Sequence, residues 1–217
     1  MAYEVSSSVA NSTFTPPIHI NEPGGTSSGK DYKGGVFSPD GSKLFIPTDK
    51  ATTQYAGDDD KGVDIFHSSS ASGWVLSDSY ESNQGGTNYR VVDIFALSET
   101  SVLQIIYGSS TGFAQYCESG SNGWTCTNAG ELHSNYPTQY GSGIRMFPNP
   151  SRTIAIVAAQ DVDEISTLVS GSGGWSLSTS EDVPDSTSNA DWQSATWASD
   201  DTVFVGDQFA SSGGGNI

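Results

Sequence analysis

The chain has 217 residues, which at roughly 150 residues per domain allows one large domain or two small ones. Its 25 acidic and 8 basic residues give a formal net charge of −17. This charge argues against a nucleic-acid partner, because binding phosphate backbones requires clustered Lys and Arg. Gly, Ser and Thr are abundant while Ala and Leu are scarce, a composition that favours strands and turns and excludes a helical bundle.

Apolar stretches are short throughout the sequence. The longest, Ile154 to Ala159, is far below the ~20 residues that a membrane-spanning helix needs. No apolar segment follows Met1, as a secretion signal would require. We therefore expect a soluble chain without membrane insertion, from which any signal has been removed or in which none existed.

In chain order, the first predicted elements form a hairpin. Val36-Phe37 and Lys43 to Ile46 flank the turn Ser38-Pro-Asp-Gly41, in which Pro presets φ and Gly accepts the positive φ that closes the turn. The same pattern returns three times, as Phe95 with Val102 to Ile106, Met146-Phe147 with Thr153 to Val157, and Thr196-Trp197 with Thr202 to Val205.

A second hairpin follows the first one in each unit. Gly73-Trp74, Gly123-Trp124 and Gly174-Trp175 recur at spacings of 50 and 51 residues, each after a Ser/Gly-rich tip. Apolar-alternating runs precede these tips, at Val63 to His67, Phe113 to Cys117 and Glu164 to Val169. A repeat of roughly 50 residues with two hairpins predicts four short antiparallel strands per unit.

The fourth unit is incomplete at the C-terminal end. It begins near Asp191 and supplies two strands before the sequence stops at Ile217. The segments Tyr3 to Val5 and Thr13 to Thr15 match the missing third and fourth strands, with Phe14 near the Trp position. We therefore expect strands from both ends of the chain to complete one sheet, which leaves no unpaired edge.

These repeats resemble those of the β-propeller superfamily. The segment from Val36 to Ile46 resembles the Ser-Pro-Asp-Gly hairpin of YVTN-type propellers, and Thr202 to Gly206 with the Gly-Trp hairpins is similar to FG-GAP-type blades. The resemblance implies an all-β propeller of four-stranded antiparallel blades. We expect a single propeller domain over residues 1–217, with four blades at about 34–87, 88–139, 140–190, and 191–217 joined with 1–20.

The resemblance also bears on particular residues. The calcium loop Asp-x-Asp-x-Asp-Gly of many FG-GAP blades is absent, so the metal sites of that family cannot be transferred to this chain. Trp74, Trp124 and Trp175 begin the outer strand of each blade, and we expect them to pack between neighbouring blades.

The two cysteines flank a predicted hairpin tip. Cys117 and Cys126 would face each other across the segment from Glu118 to Thr125, which favours a disulfide. A disulfide indicates an oxidising compartment, and with the sequon at Asn11 it predicts an extracellular or cell-surface location. The alternative is a pair of reduced, half-buried thiols.

Propellers gather the loops between second and third strands and the loops between blades on one face, here called the loop face. We predict that Trp192, Tyr107, Asp161 and Asp207 bind a ligand there, with Tyr107 in the second such loop and Trp192 in an inter-blade loop. Because Ca²⁺ prefers 6–8 oxygen ligands, a calcium site is the second expectation, formed by Asp49, Asp161, Asp163 and Asp207. The alternative is that these acids are solvated turn residues.

Motifs for catalysis are weak. Gly108 to Gly112 satisfies Gly-x-Ser-x-Gly, but no helix is expected after it, so no nucleophile is assigned to Ser110. His19, His67 and His133 lie far apart and show no zinc-type spacing. No catalytic residue is therefore predicted.

Our first functional hypothesis is a secreted or surface, non-enzymatic propeller with a lectin-like or structural role. It would recognise a protein or glycan partner through the loop face, or assemble with copies of itself. The alternative is a carbohydrate-active hydrolase or lyase that uses an axial pair of carboxylates. A third reading is that the sequence is part of a larger propeller, or half of one built by two chains.

Overall fold

The structure is a computed structural model that describes residues 34–48, 62–69, 73–82, 90–108, 111–132, 144–158, 164–182 and 192–207. These ranges contain strands and no helix. The strands are β1 (Val36–Phe37), β2 (Lys43–Thr48), β3 (Gly62–Ser69), β4 (Gly73–Glu81), β5 (Arg90–Ala96), β6 (Ser101–Gly108), β7 (Thr111–Gly120), β8 (Gly123–Glu131), β9 (Arg145–Pro148), β10 (Ile154–Ala158), β11 (Glu164–Gly171), β12 (Gly174–Asp182), β13 (Trp192–Trp197) and β14 (Val203–Asp207).

The strands form successive antiparallel sheets in chain order. Three sheets have four strands each, β1 to β4, β5 to β8 and β9 to β12, and β13 pairs with β14. Neighbouring strands in each sheet are consecutive in sequence, as short hairpin connections require. The prediction of an all-β fold with four-stranded antiparallel sheets is confirmed. The predicted closing strands, within residues 1–20, lie outside the described residues.

Turn chemistry explains where the strands begin. Gly73, Gly123 and Gly174 open the fourth strand of their sheets with φ values of 72°, 96° and 102°. Only glycine adopts such values at little steric cost, which is why it precedes each of the three tryptophans. The first hairpin of each sheet is closed by an equivalent backbone hydrogen bond, such as the one from the Ser38 amide to the Lys43 carbonyl at 2.9 Å.

The hydrophobic core lies between sheets rather than inside one sheet. Alternate residues of a strand point to opposite faces, so β6 contributes to two interfaces. Val102 and Ile106 pack towards the first sheet with Phe45, whereas Leu103 and Ile105 pack towards the third sheet, and all five side chains have no exposed area. At about 1.5–3 kcal/mol for each such buried side chain, these interfaces hold the sheets together.

Aromatic rings strengthen the interface between the first two sheets. The Trp124 ring stacks on Tyr80 with centroids 5.1 Å apart and meets Phe45 edge-on at 5.8 Å. Trp175 is 8% exposed in the core between the second and third sheets. The expected inter-sheet packing therefore holds for Trp124 and Trp175, while the ring contact described for Trp74 is with Phe37 of its own sheet.

A buried polar chain crosses the same interface. The Tyr80 hydroxyl donates to Gln104 Oε1 at 2.9 Å, and Gln104 Nε2 donates to Gln115 Oε1 at 2.9 Å. Burial raises the pKa of Tyr80 well above its ordinary value, so the phenol remains a hydrogen-bond donor. Because buried polar groups are costly when unpaired, this chain fixes how the first sheet sits on the second.

Cys117 on β7 and Cys126 on β8 are directly opposite each other and form a disulfide, with a Cα–Cα distance of 4.0 Å. The predicted disulfide is therefore present. Cys117 is fully buried against the first sheet, so the bond connects the hairpin tip to the core.

Candidate functional site

Equivalent positions in the four sheets can be found by counting back from the first turn. The closing bond of the first hairpin is donated by the amides of Ser38, Leu97, Asn149 and Ala198. Four residues before each of these lies one member of a set that we call the loop-face row: Gly34, Asp93, Arg145 and Ser194. Asp93 and Ser194 lie within β5 and β13, Arg145 begins β9, and Gly34 precedes β1. In each case the row member lies on the side away from the turn, towards the end that the loop face occupies. Its two charged members, Asp93 and Arg145, belong to neighbouring sheets.

A β-bulge lies next to Asp93, on the side of it away from the turn. The register between β5 and β6 shifts between Val91 and Asp93, so that Val91 pairs with Ile106 and Asp93 with Ile105. The extra residue, Val92, redirects the side chains around it, which is a common use of bulges near functional sites.

The Asp93 carboxylate joins two neighbouring first strands. Its Oδ1 accepts the amide of Ile94 at 2.9 Å, and its Oδ2 accepts the amide of Met146 on β9 at 2.7 Å. Amides alternate between the two edges of a strand, and the Asn149 amide donates to the Ile154 carbonyl after β9. The Met146 amide, three residues earlier, therefore lies on the edge of β9 away from β10, and Asp93 provides its acceptor.

Competing effects act on the proton affinity of Asp93. Burial raises the pKa of the carboxyl group, and the two amide hydrogen bonds and the nearby Arg145 charge oppose this rise without cancelling it. A carboxyl group with a raised pKa, next to a cation, is a candidate general acid or base.

Arg145 is exposed, although its sequence neighbours are not. Ile144 has no exposed area and Met146 is 8% exposed, so the backbone at this point is anchored in the core between the second and third sheets. Arg145 Nη1 donates to the Ile144 carbonyl at 2.8 Å, which orients the guanidinium. The row therefore places a fixed cation beside the Asp93 carboxylate.

The ligand-binding residues predicted from sequence lie at this end of the sheets or outside the described residues. Tyr107 lies in β6 rather than in the following loop, and only 5% of it is exposed. Burial raises the pKa of the Tyr107 phenol. Trp192 begins β13 rather than lying in an inter-blade loop, and it pairs with Asp207, the last residue of β14. Asp161 lies outside the described residues.

The predicted calcium ligands are only partly described. Asp49, Asp161 and Asp163 lie outside the described residues, while Asp207 ends β14. In the described ranges, no three His, Cys, Asp or Glu side chains are close enough to share a metal ion. The same ranges hold no helix with the length and apolar character needed to cross a bilayer.

Carboxylates at the opposite, turn end of the sheets serve the turns. The Ser38 hydroxyl donates to Asp40 Oδ1 at 2.6 Å, and this and further hydrogen bonds from Ser42 hold the pKa of Asp40 far below its usual value. The Ser199 hydroxyl likewise donates to Asp201 at 2.6 Å and lowers its pKa. These hydrogen bonds within turns leave the loop-face row as the better candidate site.

Sequence reasoning missed Asp93 and Arg145. The signal that could have found them is the repeat itself, because aligning the first turns of the units brings both residues to one level.

Similarity to known proteins is found in structure rather than in sequence. No protein-family model matches the chain, and no curated protein sequence is significantly similar to it. A crystal structure of a protein from Lactobacillus plantarum shares 16% identity and a TM-score of 0.49, over 73% of this chain and 43% of that chain. The periplasmic gluconolactonase of Pseudomonas aeruginosa shares 13% identity and a TM-score of 0.47, over 80% of this chain and 48% of that chain.

The fold is β-propeller-like. The chain spans less than half the length of either solved structure, and at these identities the likeness concerns the fold alone. One of the two structures is nevertheless that of an enzyme, the gluconolactonase. This finding contradicts the hypothesis of a non-enzymatic binding or structural module and agrees better with its alternative, an enzyme. The first hypothesis is therefore corrected.

Proposed function

We propose that the chain is a carbohydrate-active hydrolase or lyase whose acid/base group is Asp93. The observation that carries this proposal is the position of Asp93: a carboxyl group of raised pKa, on a first strand at the loop face, beside an exposed arginine. Cleavage of a glycosidic bond and abstraction of a proton from a sugar both require a group that gives up or accepts a proton near neutral pH.

A second carboxylate would complete the pair that glycoside hydrolysis uses, at about 5–5.5 Å for retention or 6.5–9.5 Å for inversion. Asp161, Asp163 and Asp207 are the candidates in our proposal. Arg145 pairs with Ala158, the last residue of β10, so the segment that carries Asp161 and Asp163 begins beside the row. Asp207 ends β14 at the same end of its sheet.

The remaining features fit the same proposal. Trp192 would line the sugar-binding surface, since aromatic rings suit the apolar faces of sugars. The ring of Tyr107, which is 5% exposed in the core, would support that surface from beneath. A Ca²⁺ ion bound by the loop-face carboxylates would have a structural role. The disulfide supports an extracellular or cell-surface location, because such bonds persist in oxidising compartments. Four blades of the YVTN or FG-GAP type remain part of this proposal.

The test is turnover by the purified full chain. Wild-type protein and Asp93→Asn would be incubated with a panel of polysaccharides, oligosaccharides and δ-gluconolactone, with Ca²⁺ or with a chelator. We expect at least one substrate to be cleaved and Asp93→Asn to lose about 10²-fold or more of the rate, as for loss of a general acid or base.

Asp78→Asn is the matched control for this test. Asp78 Oδ1 accepts the amide of the next residue, Ser79, at 2.9 Å, as Asp93 Oδ1 accepts that of Ile94, but Asp78 is exposed on an outer strand. We expect full activity from it. Equal rates for Asp93→Asn and wild type, or no cleavage of any substrate, would reject the proposal.

A further inference from the structure

Arg145 has hydrogen-bonding capacity that the fold does not use. A guanidinium carries five N–H donors. The Arg145 guanidinium donates to the Ile144 carbonyl at 2.8 Å, and it makes no other hydrogen bond within the part of the chain that the structure describes. The rest of its donors face solvent at the loop face, because the side chain is exposed.

Asp93 does not use these donors, although the Arg145 charge acts on its carboxyl group. Its two oxygens accept the amides of Ile94 and Met146, at 2.9 and 2.7 Å. The Arg145 charge lowers the pKa of Asp93 through space, without a hydrogen bond between the two side chains. The arginine is thus held near the candidate acid/base group and remains open to an external anion.

The geometry of a guanidinium matches that of a carboxylate. Two parallel N–H groups bind the two carboxylate oxygens at once, which gives both strength and orientation. The backbone of Arg145 is anchored between buried neighbours, Ile144 and Met146, so little backbone freedom is lost when a ligand binds. In a chain of net charge −17, an anionic ligand needs a local cation of this kind to overcome the general repulsion.

We propose that Arg145 binds the carboxylate of an acidic sugar, a uronic or aldonic acid, beside Asp93. This inference rests on the proposed function and deepens it by naming the substrate class. The carboxylate would pair with the arginine and so bring the sugar ring towards Asp93 and the other loop-face residues. Neutral sugars lack this contact and would bind more weakly.

The experiment compares two ligands that differ only in the carboxylate. Binding of methyl glucuronide and methyl glucoside to the full chain would be measured by calorimetry or by NMR titration at constant ionic strength. We expect wild type to prefer the glucuronide by at least about tenfold, the effect of a charge-assisted hydrogen bond. Arg145→Gln should abolish this preference, and Arg145→Lys should keep part of it.

Lys43→Gln is the matched control, because it removes one positive charge at the turn end of β2, away from the loop face. We expect it to keep the preference for the glucuronide. The inference is wrong if wild type binds both sugars equally or binds neither, or if Arg145→Gln keeps the preference. It is also wrong if acetate binds as well as the glucuronide, because the sugar would then contribute nothing.

Failure of this inference differs from failure of the proposed function. Turnover of neutral substrates that depends on Asp93, without a preference for the glucuronide, would overturn the role of Arg145 and leave the enzyme proposal intact. Glucuronide binding that depends on Arg145, without turnover of any substrate, would support the role of Arg145 and reject the enzyme proposal.

Discussion

Asp93 Oδ2 on β5 accepts the backbone amide of Met146 on β9 at 2.7 Å, so one side chain links the first strands of two neighbouring sheets. The amide belongs to an edge strand, and edge amides need an acceptor when they are removed from water. The same carboxylate is our candidate acid/base group. Its structural and chemical roles can be separated, because only the chemical role requires a titrating proton.

The raised pKa of Asp93 predicts how stability depends on pH. The folded state binds this proton more tightly than the unfolded chain does, in which the pKa is near 3.8. The contribution of Asp93 to stability is therefore fully present below that value, and it declines as pH rises through the folded pKa. We expect the difference in unfolding free energy between wild type and Asp93→Asn to change in this direction, as measured by urea unfolding at a series of pH values.

The other carboxyl groups are common to both proteins and cancel in this difference. A difference that stays constant from acid to neutral pH would show that the carboxyl group titrates as it does in the unfolded chain.

The disulfide should stabilise the chain measurably. Cys117 and Cys126 are separated by 9 residues, and closing a loop of that size removes unfolded-state entropy worth about 2.5 kcal/mol in the chain-entropy model. We expect reduction with dithiothreitol to lower the unfolding free energy by about this amount. The double variant Cys117→Ser/Cys126→Ser should unfold alike with and without the reductant, whereas a response of that variant would trace the effect to something other than this bond.

Gly62 should not tolerate a side chain. A Cβ built at this position would overlap the carbonyl oxygen of Tyr80 on the paired strand β4, so the backbone of β3 or β4 must shift. We expect Gly62→Ala to cost about 3 kcal/mol, at the upper end of the range for overpacking. The loss is calculated from the midpoints of the urea unfolding curves of the variant and the wild type, fitted with one common m value.

Gly112→Ala is the control for this substitution. A Cβ at Gly112 would meet the side chain of Leu132 at 3.6 Å, an ordinary contact. We expect a loss below about 1 kcal/mol. If both variants were equally stable, close packing at Gly62 would not explain why glycine stands there.

Much of the fold could be predicted from the sequence because its signals are local. Strand alternation and the Pro-Asp-Gly turn predict the hairpins, and the Gly-Trp pairs predict where each fourth strand starts. The disulfide followed from the hairpin tip between Cys117 and Cys126. Each of these features depends on residues within a few positions of one another, so one sequence is sufficient to show it.

The candidate site was harder to predict because it depends on how two sheets pack. The Asp93 carboxylate meets the first strand of the next sheet through the Met146 amide, and no pattern within a single strand shows this. Tyr107 and Trp192 were assigned to loops, although the strands continue through them, because the ends of strands lack a local signal as strong as a turn. The burial that raises the pKa of Asp93 comes from packing between sheets.

The face of β14 that bears Phe204 tests the closure of the ring. Phe204, Leu103 and Phe45 occupy equivalent positions on the second strands of their sheets. Their partners on the first strands are Thr196, Phe95 and Val36, and each partner lies two residues before the amide that closes the first turn. Leu103 and Phe45 are completely buried, whereas Phe204 is 50% exposed.

We expect Phe204→Ala to cost about 1–2 kcal/mol, well below the about 3–5 kcal/mol of Phe45→Ala, because a half-exposed ring loses less burial when it is removed. Urea unfolding of the two variants measures both costs. Closure of four blades by residues 1–20 requires the first sheet to pack over Phe204, as the second packs over Phe45. Equal costs for the two substitutions would therefore contradict the exposure of Phe204 and favour the closed ring.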